Sequence, residues 1–265
     1  MELPKEAFDN SALVVAHPDD EVLWFSSILD KVSQIVIVFV DPDSHAAIDG
    51  HRCRDKIVTL DVGQVRSHNL SNWPHPEETG YGLRLSGDAD LDDAYRKQAD
   101  NVAEKLEATL ADCKNVFTHN PWGEYGHEAH VQLSKVTTTL ARKRGARVWY
   151  NNYVSGKSSR LMRNFVNGFR NDYYTHEVDI DQAREIAATY TRSGTWSFAS
   201  DYAWFPSECF VRGPLEPSAE PSEGTLFPVN YIRVPFDPVT PSTPPPGLLT
   251  RIRRKLKRVA DAATD

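Results

Sequence analysis

The chain is poor in cysteine: Cys53, Cys113 and Cys209 stand far apart, with no CxxC spacing among them. Such a set builds neither a disulfide framework nor a thiolate zinc site, and it reads as reduced cytosolic thiols. Long apolar runs are missing as well. No stretch of 18 or more apolar residues could span a bilayer, and the opening MELPKEAFDN lacks the basic-then-apolar order of a secretory signal. A cytoplasmic protein is expected. Basic side chains are the minority charge, 30 Lys plus Arg against 37 Asp plus Glu. Six of the 30 lie in residues 248–265, beside two acidic ones, so the net charge of −7 divides into +4 for that tail and −11 for the rest. An acidic body excludes broad nucleic-acid binding, because phosphate contacts need clustered Lys and Arg.

What is present suffices for a well-filled core: 40% of the 265 residues are hydrophobic, enough for one domain with appendages. The β-branched runs ALVVA (12–16) and QIVIVFV (34–40) flank a segment, from about Glu21 to Val32, with apolar residues at helical spacing. Helical spacing returns over 92–113, through Ala94, Ala99, Val102, Leu106 and Leu110, followed by NVFTHN as a strand. A helix from about His127 to Arg144 stops at Gly145, RVWYNNYV is the next strand, and Asp181–Thr191 is again helical in pattern. This alternation predicts an α/β fold with a Rossmann-like, mostly parallel sheet flanked by helices and with ligand sites at the carboxyl ends of its strands. The aromatic passage TWSFASDYAWF (195–205) has no assigned element; its rings could wall a sugar site or be buried. Ten of the 17 prolines fall between Pro214 and Pro246. The expected organisation is a catalytic domain over 1–213, a Pro-rich extension or linker over 214–247 and a basic amphipathic tail over 248–265. The tail sets Leu248, Leu249, Ile252, Leu256 and Val259 at helical spacing among basic residues, a pattern suited to peripheral contact with an anionic membrane or to packing. The oligomeric state is left open.

Two motifs carry chemistry, AHPDDE (16–21) and HNPWGEYGHEAH (119–130), each directly after a predicted strand. A histidine and a carboxylate in one strand-to-helix turn can point at one divalent metal, and Pro18 restricts His17 to extended backbone. Catalytic zinc sites use three His, Asp or Glu ligands and keep a position open, so a third ligand is needed. HEAH offers it: His127 and His130, at i and i+3, let one imidazole bind metal while the other faces substrate. Taken alone, HPDDE would also suit a helix start capped by Asp19 and Asp20. Glu21 is assigned no chemistry, and histidines 45, 51, 68, 75, 119 and 176 read as surface or hydrogen-bonded structural residues.

The two motifs in this order resemble the zinc-dependent de-N-acetylases of the LmbE and PIG-L family, over roughly residues 10–155. The resemblance implies that His17, Asp20 and His130 hold Zn2+ or another divalent metal. It implies Asp19 as the general base towards the attacking water, His127 as oxyanion stabiliser or acid to the leaving amine, and Tyr125 as a partner of the oxyanion. RCRDKIVTLDVG (52–63) resembles a weaker family pattern that makes Arg52 a substrate contact. Asn120 could line the pocket or form the turn before Pro121. Ala129 stands where the family's HPDH form has an aspartate, and Asp55 where a glutamate is usual, with Glu128 the candidate stand-in beside His127. The implied function is removal of an N-acetyl group from an N-acetylglucosamine-type amino sugar in a glycoconjugate, glycolipid or small glycoside. The alternative is a metal-dependent hydratase of an unsaturated acid on the same fold.

Overall fold

The computed structural model describes residues 1–168, 171–217 and 227–234. Strands β1 (Ser11–Val15), β2 (Gln34–Ile37), β3 (Ile57–Thr59), β4 (Glu78–Thr79), β5 (Gly82–Leu83), β6 (Asn115–Thr118), β7 (Arg147–Asn151), β8 (Tyr153–Val154), β9 (Tyr173–Glu177), β10 (Ser207–Arg212) and β11 (Asn230–Tyr231) are joined by six helices. These are α1 (Asp20–Trp24), α2 (His45–Asp49), α3 (Ala89–Thr109), α4 (Glu128–Arg144), α5 (Ser159–Phe165) and α6 (Ile180–Ser193). The main sheet has seven strands in the order β3-β2-β1-β6-β7-β10-β9. The five from β3 to β7 are parallel, and β10 and β9 close the edge antiparallel. The α/β, mostly parallel architecture expected from the sequence is therefore present.

Burial explains the residue choice. Along β1 every side chain is buried: Ala12 and Val14 join the core on one face, Leu13 and Val15 the core on the other. A strand covered on both faces reads as a continuous apolar run rather than an alternation. After β1 the chain turns to β2 on one side, whereas β6 and β7 extend the sheet on the other. Such a reversal leaves a crevice between the carboxyl ends of β1 and β6, where open α/β sheets bind ligands. AHPDDE follows β1 and HNPWGEYGHEAH follows β6.

The helix expected over 21–32 is shorter than its pattern. After Trp24 the chain leaves helical geometry at Phe25 (φ −144°, ψ 21°) and continues as a 3-10 turn over Ser26–Ile28. The reason lies far away in sequence. The backbone N–H groups of Ser26 and Ser27, which would continue the helix to the carbonyls of Val22 and Leu23, donate instead to the buried carboxylate of Glu208 on β10 at 3.0 and 3.1 Å. The two freed carbonyls accept from the Trp204 indole (2.7 Å) and the Tyr202 hydroxyl (3.1 Å). The aromatic passage 195–205 thus packs on α1: Phe198 sets its ring edge-on to Trp24, with centroids 5.4 Å apart.

Among the described residues no helix is long and apolar enough to cross a membrane. Within the Pro-rich extension, Leu215, Ile232 and Val234 are buried, and β11 pairs with β8. The basic tail lies outside the described residues.

Candidate metal centre and active site

The turn after β1 is strained at the residue that matters most. Asp19 adopts φ 92°, a region costly to any residue with a Cβ. Its N–H donates to Glu21 Oε2 (3.1 Å), and Glu21 in turn faces His51 Nε2 at 3.4 Å. Glu21 is thus a buried brace of the turn. The helix-cap reading of the two aspartates does not describe them, since neither caps α1 with its side chain. Asp19 Oδ2 accepts from the backbone N–H (2.8 Å) and hydroxyl (2.7 Å) of Ser197. Asp20 Oδ1 accepts from the Trp24 indole (2.8 Å), which leaves Oδ2 aimed at the histidines.

Three donor atoms converge there. Asp20 Oδ2 lies 3.1 Å from His17 Nδ1 and 3.3 Å from His130 Nε2, and the two imidazole nitrogens are 3.3 Å apart. Bonds of about 2.0–2.1 Å at tetrahedral angles require ligand edges of roughly 3.3–3.4 Å, so the triangle has the size of one face of a tetrahedral zinc site. The tautomers agree. His130 Nδ1 is 2.7 Å from Glu124 Oε2, so its proton is held there and the Nε2 lone pair is free to ligate. His17, 22% exposed, is the open side of the cluster.

His119 and Glu124 complete the support. His119 Nε2 accepts the Ala16 N–H (3.0 Å), so its proton sits on Nδ1, 3.1 Å from Glu124 Oε1. It stacks on His130 at 3.9 Å and serves as a buttress, its lone pair already used. Glu124 also accepts from Asn151 Nδ2 (2.6 Å), and all its polar contacts are buried. The turn that delivers it needs Gly123 at φ +65°, where a Cβ would come within 2.7 Å of the His127 carbonyl oxygen.

The electrostatics match a cation site. Burial pushes the Asp20 carboxyl up, but the His130 charge and the bonds from His130 and His17 overcome it and hold it well below the usual range. For His130, burial works against the charged form, yet Asp20 and Glu124 raise its pKa to about 10. Glu124 is drawn down to about 2 despite burial, by the hydrogen bonds from His119 and His130 and the His130 charge. Two buried carboxylates therefore hold a positive charge at this spot, which a divalent ion satisfies as a proton does. Asp19 goes the other way: burial and the neighbouring Asp20 charge raise it well above the usual value, against the two Ser197 bonds.

His127 caps α4, and its Nδ1 accepts the Ala129 N–H at 3.2 Å, which fixes the proton on Nε2. Burial and the charges of His130, His17 and His68 keep it neutral, with a pKa well below 6.5. Its ring lies 4.6 Å from that of His130 and 5.0 Å from that of His17. Tyr125 packs edge-on to His127 at 5.7 Å, and burial, with Asp20 and Asp19, raises its phenol well above 10.

Two residues expected as substrate contacts have other partners. Asn120 is wholly buried: its amide N–H groups go to Asn151 Oδ1 and the Tyr153 carbonyl, and its oxygen accepts from the Trp122 and Glu124 N–H groups. With every hydrogen-bonding position used, it builds the turn and has nothing left for a substrate. Arg52 is an exposed residue in an ion pair with Glu185 of α6 at 3.4 Å, and the cluster is formed without it. Nor does Glu128 assist His127. Its carboxylate accepts from Asn69 N, Ser71 N and Trp73 Nε1, which pins the 69–73 loop. Sequence reasoning missed Glu124 as the link between His119 and His130, although it sits inside the quoted motif; Ser197 had no signal of its own.

The family model described as GlcNAc-PI de-N-acetylase, PIG-L, matches residues 12–141. Solved structures similar to the chain include the zinc-inhibited form of the teicoplanin deacetylase Orf2, at 13% identity, covering 79% of this chain and 99% of that one, with a TM-score of 0.49. The A40926 pseudoaglycone deacetylase Dbv21 is 15% identical, with coverages of 79% and 98% and a TM-score of 0.42. The N,N'-diacetylchitobiose deacetylase of Pyrococcus horikoshii is 12% identical, covers 74% of each chain and scores 0.39. No curated protein matches.

Proposed function

Residues 12–141 match the model of PIG-L, the GlcNAc-PI de-N-acetylase family, and from that match we propose that the chain is a divalent-metal hydrolase removing the N-acetyl group of an N-acetylglucosamine-type amino sugar. The observation that carries the reading is the triangle of Asp20 Oδ2, His17 Nδ1 and His130 Nε2, with edges of 3.1–3.3 Å and Glu124 behind His130.

A divalent ion held by these three residues, zinc by the donor set, would supply Lewis-acid polarisation of the amide carbonyl and a more acidic water near neutral pH. Asp19 is the base that takes the proton of the attacking water and returns it to the amine. The αL turn and the two Ser197 bonds hold its carboxylate in one orientation, so little reorganisation accompanies the transfer. His127 offers its Nε2–H to the oxygen that gains charge, and loss of one such donor commonly costs on the order of 10²–10³ in rate. Tyr125, kept protonated, is the second donor to that oxygen, through its O–H.

The test is metal analysis joined to acetate release from N-acetylglucosaminides. About one zinc per chain is expected, lost together with acetate release in His130→Ala. Metal content unchanged in both His130→Ala and Asp20→Asn would overturn the site. Loss of a conjugated acid's absorbance without acetate release would favour the hydratase alternative, which no feature of the site supports.

A further inference from the structure

Four buried or half-buried imidazoles meet at the metal centre, and three of them have an outer partner that works one way only. The Glu124 carboxylate can only accept, which keeps the His130 proton on Nδ1, 2.7 Å away. The Ala16 and Ala129 N–H groups can only donate, which keeps His119 Nε2 and His127 Nδ1 free of protons. His17 differs. Its Nδ1 faces Asp20 Oδ2 at 3.1 Å and His130 Nε2 at 3.3 Å, while its Nε2 meets the side-chain amide of Gln64 at 2.8 Å. A primary amide donates through its NH2 and accepts through its oxygen, so Gln64 suits either tautomer of this ring.

The two positions of the amide have opposite consequences. With the NH2 towards His17, as in the structure, the Nε2 lone pair accepts, the proton sits on Nδ1, and Asp20 Oδ2 receives it. With the amide turned half a rotation about its last bond, the oxygen accepts from Nε2–H, and the Nδ1 lone pair joins Asp20 Oδ2 and the His130 Nε2 lone pair. Three electron-pair donors within 3.3 Å of one another repel unless a cation lies among them. Only this second arrangement makes His17 a ligand. The backbone places Gln64 for it. After β3, the Leu60 and Val62 N–H groups donate to the Ile37 and Val38 carbonyls at the end of β2, at 3.0 and 3.2 Å, and the Val65 N–H donates to Gln98 of α3. Gln98 in turn donates to Gln132 at 2.7 Å, on the helix that carries His130. The residue is thus held between fixed neighbours while its side chain stays exposed.

We propose that Gln64 is a positioning residue of the metal centre: by turning its amide it lets His17 pass between the two tautomers, and with its oxygen forward it holds Nδ1 in the ligating form. A carboxylate at this place, accepting only, would fix the ligating tautomer as Glu124 does for His130. This role of Gln64 rests on the deacetylase reading only for the ligands His17, Asp20 and His130, and it is read by zinc binding without acetate release.

The test measures the zinc affinity of the full chain, by competition with a chromogenic chelator, in the wild type and in Gln64→Leu, Gln64→Glu and Gln64→Asp. Gln64→Leu is expected to bind about tenfold more weakly, the lower end of such effects, because water reaches a ring that is 22% exposed. Gln64→Glu binds roughly threefold or more tightly and gives zinc up to the chelator more slowly, a change that loss of fold cannot produce. Gln64→Asp carries the same charge on a side chain one methylene shorter, which stops short of Nε2, so it binds no more tightly than the wild type. Affinity in Gln64→Leu equal to that of the wild type, or tightening in Gln64→Asp equal to that in Gln64→Glu, overturns the role of Gln64; the second outcome assigns the effect to charge alone. A wild type that holds no zinc sinks the metal reading and the role of Gln64 with it, whereas equal zinc binding by all four proteins sinks only the role of Gln64.

Discussion

Replacing Glu124 with glutamine tests the metal centre at a residue that touches neither metal nor substrate. The carboxylate accepts from four donors: His119 Nδ1, Asn151 Nδ2 and the Asn120 N–H on one oxygen, and His130 Nδ1 on the other. Glutamine has the same shape but only one acceptor oxygen. Left with that oxygen towards His119 and Asn151, its NH2 faces His130 Nδ1, which must then accept. The His130 proton moves to Nε2, the atom that points at Asp20 and His17, and the ligand is lost. Turned the other way, the NH2 meets three donors in a buried site. Substitutions of such supporting groups typically cost 10–100-fold in metal affinity, about 1.4–2.7 kcal/mol, and the tautomer argument puts Glu124→Gln at the upper end. Competition with a chromogenic zinc chelator measures the affinity, and a melting curve with chelator present separates folding from binding. A variant that holds zinc within about twofold of the wild type would show that the proton on His130 is not controlled by Glu124.

Adjacent aspartates should fail differently. Asp19→Asn is expected to keep its metal and lose most acetate release, whereas Asp20→Asn loses metal as well; the reverse pattern in metal analysis would exchange their roles. For Gly123→Ala, the left-handed backbone costs about 1–2 kcal/mol before the 2.7 Å approach to the His127 carbonyl is counted. Thermal melting should fall by roughly 2–8 °C, and an unchanged midpoint would mean that the 123–126 turn relaxes without strain.

Much of the site was legible because its elements are local. Burial on both faces makes β1 a continuous apolar run; Pro18 and the carboxylates mark the turn after it; and i, i+3 spacing presents His127 and His130 together. Long α3 and α4 were legible for the same reason, since helical periodicity repeats within a few residues, and Gly145 at φ 70° ends α4 where its identity predicts. α1 shows the limit of such reading. Its pattern continues to Val32, but Glu208 on β10 takes the N–H groups of Ser26 and Ser27, and Trp204 and Tyr202 take the carbonyls of Val22 and Leu23, which ends the helix at Trp24.

What the sequence determined by itself was which chemistry the chain could assemble: three imidazoles and two carboxylates at the ends of neighbouring strands. Only the tertiary structure decided which proton sits on which ring, because that depends on the group each ring nitrogen meets: the Glu124 carboxylate accepting from His130, the Ala16 N–H donating to His119, and the Ala129 N–H donating to His127. It also decided that Ser197, 178 residues from Asp19, would orient that carboxylate, that Asn120 would be consumed by its own turn and that Arg52 would pair with Glu185. Hydrogen bonds between distant residues leave no periodic trace in the chain, whereas the donors and acceptors that must be satisfied on burial leave few alternatives once the elements have packed.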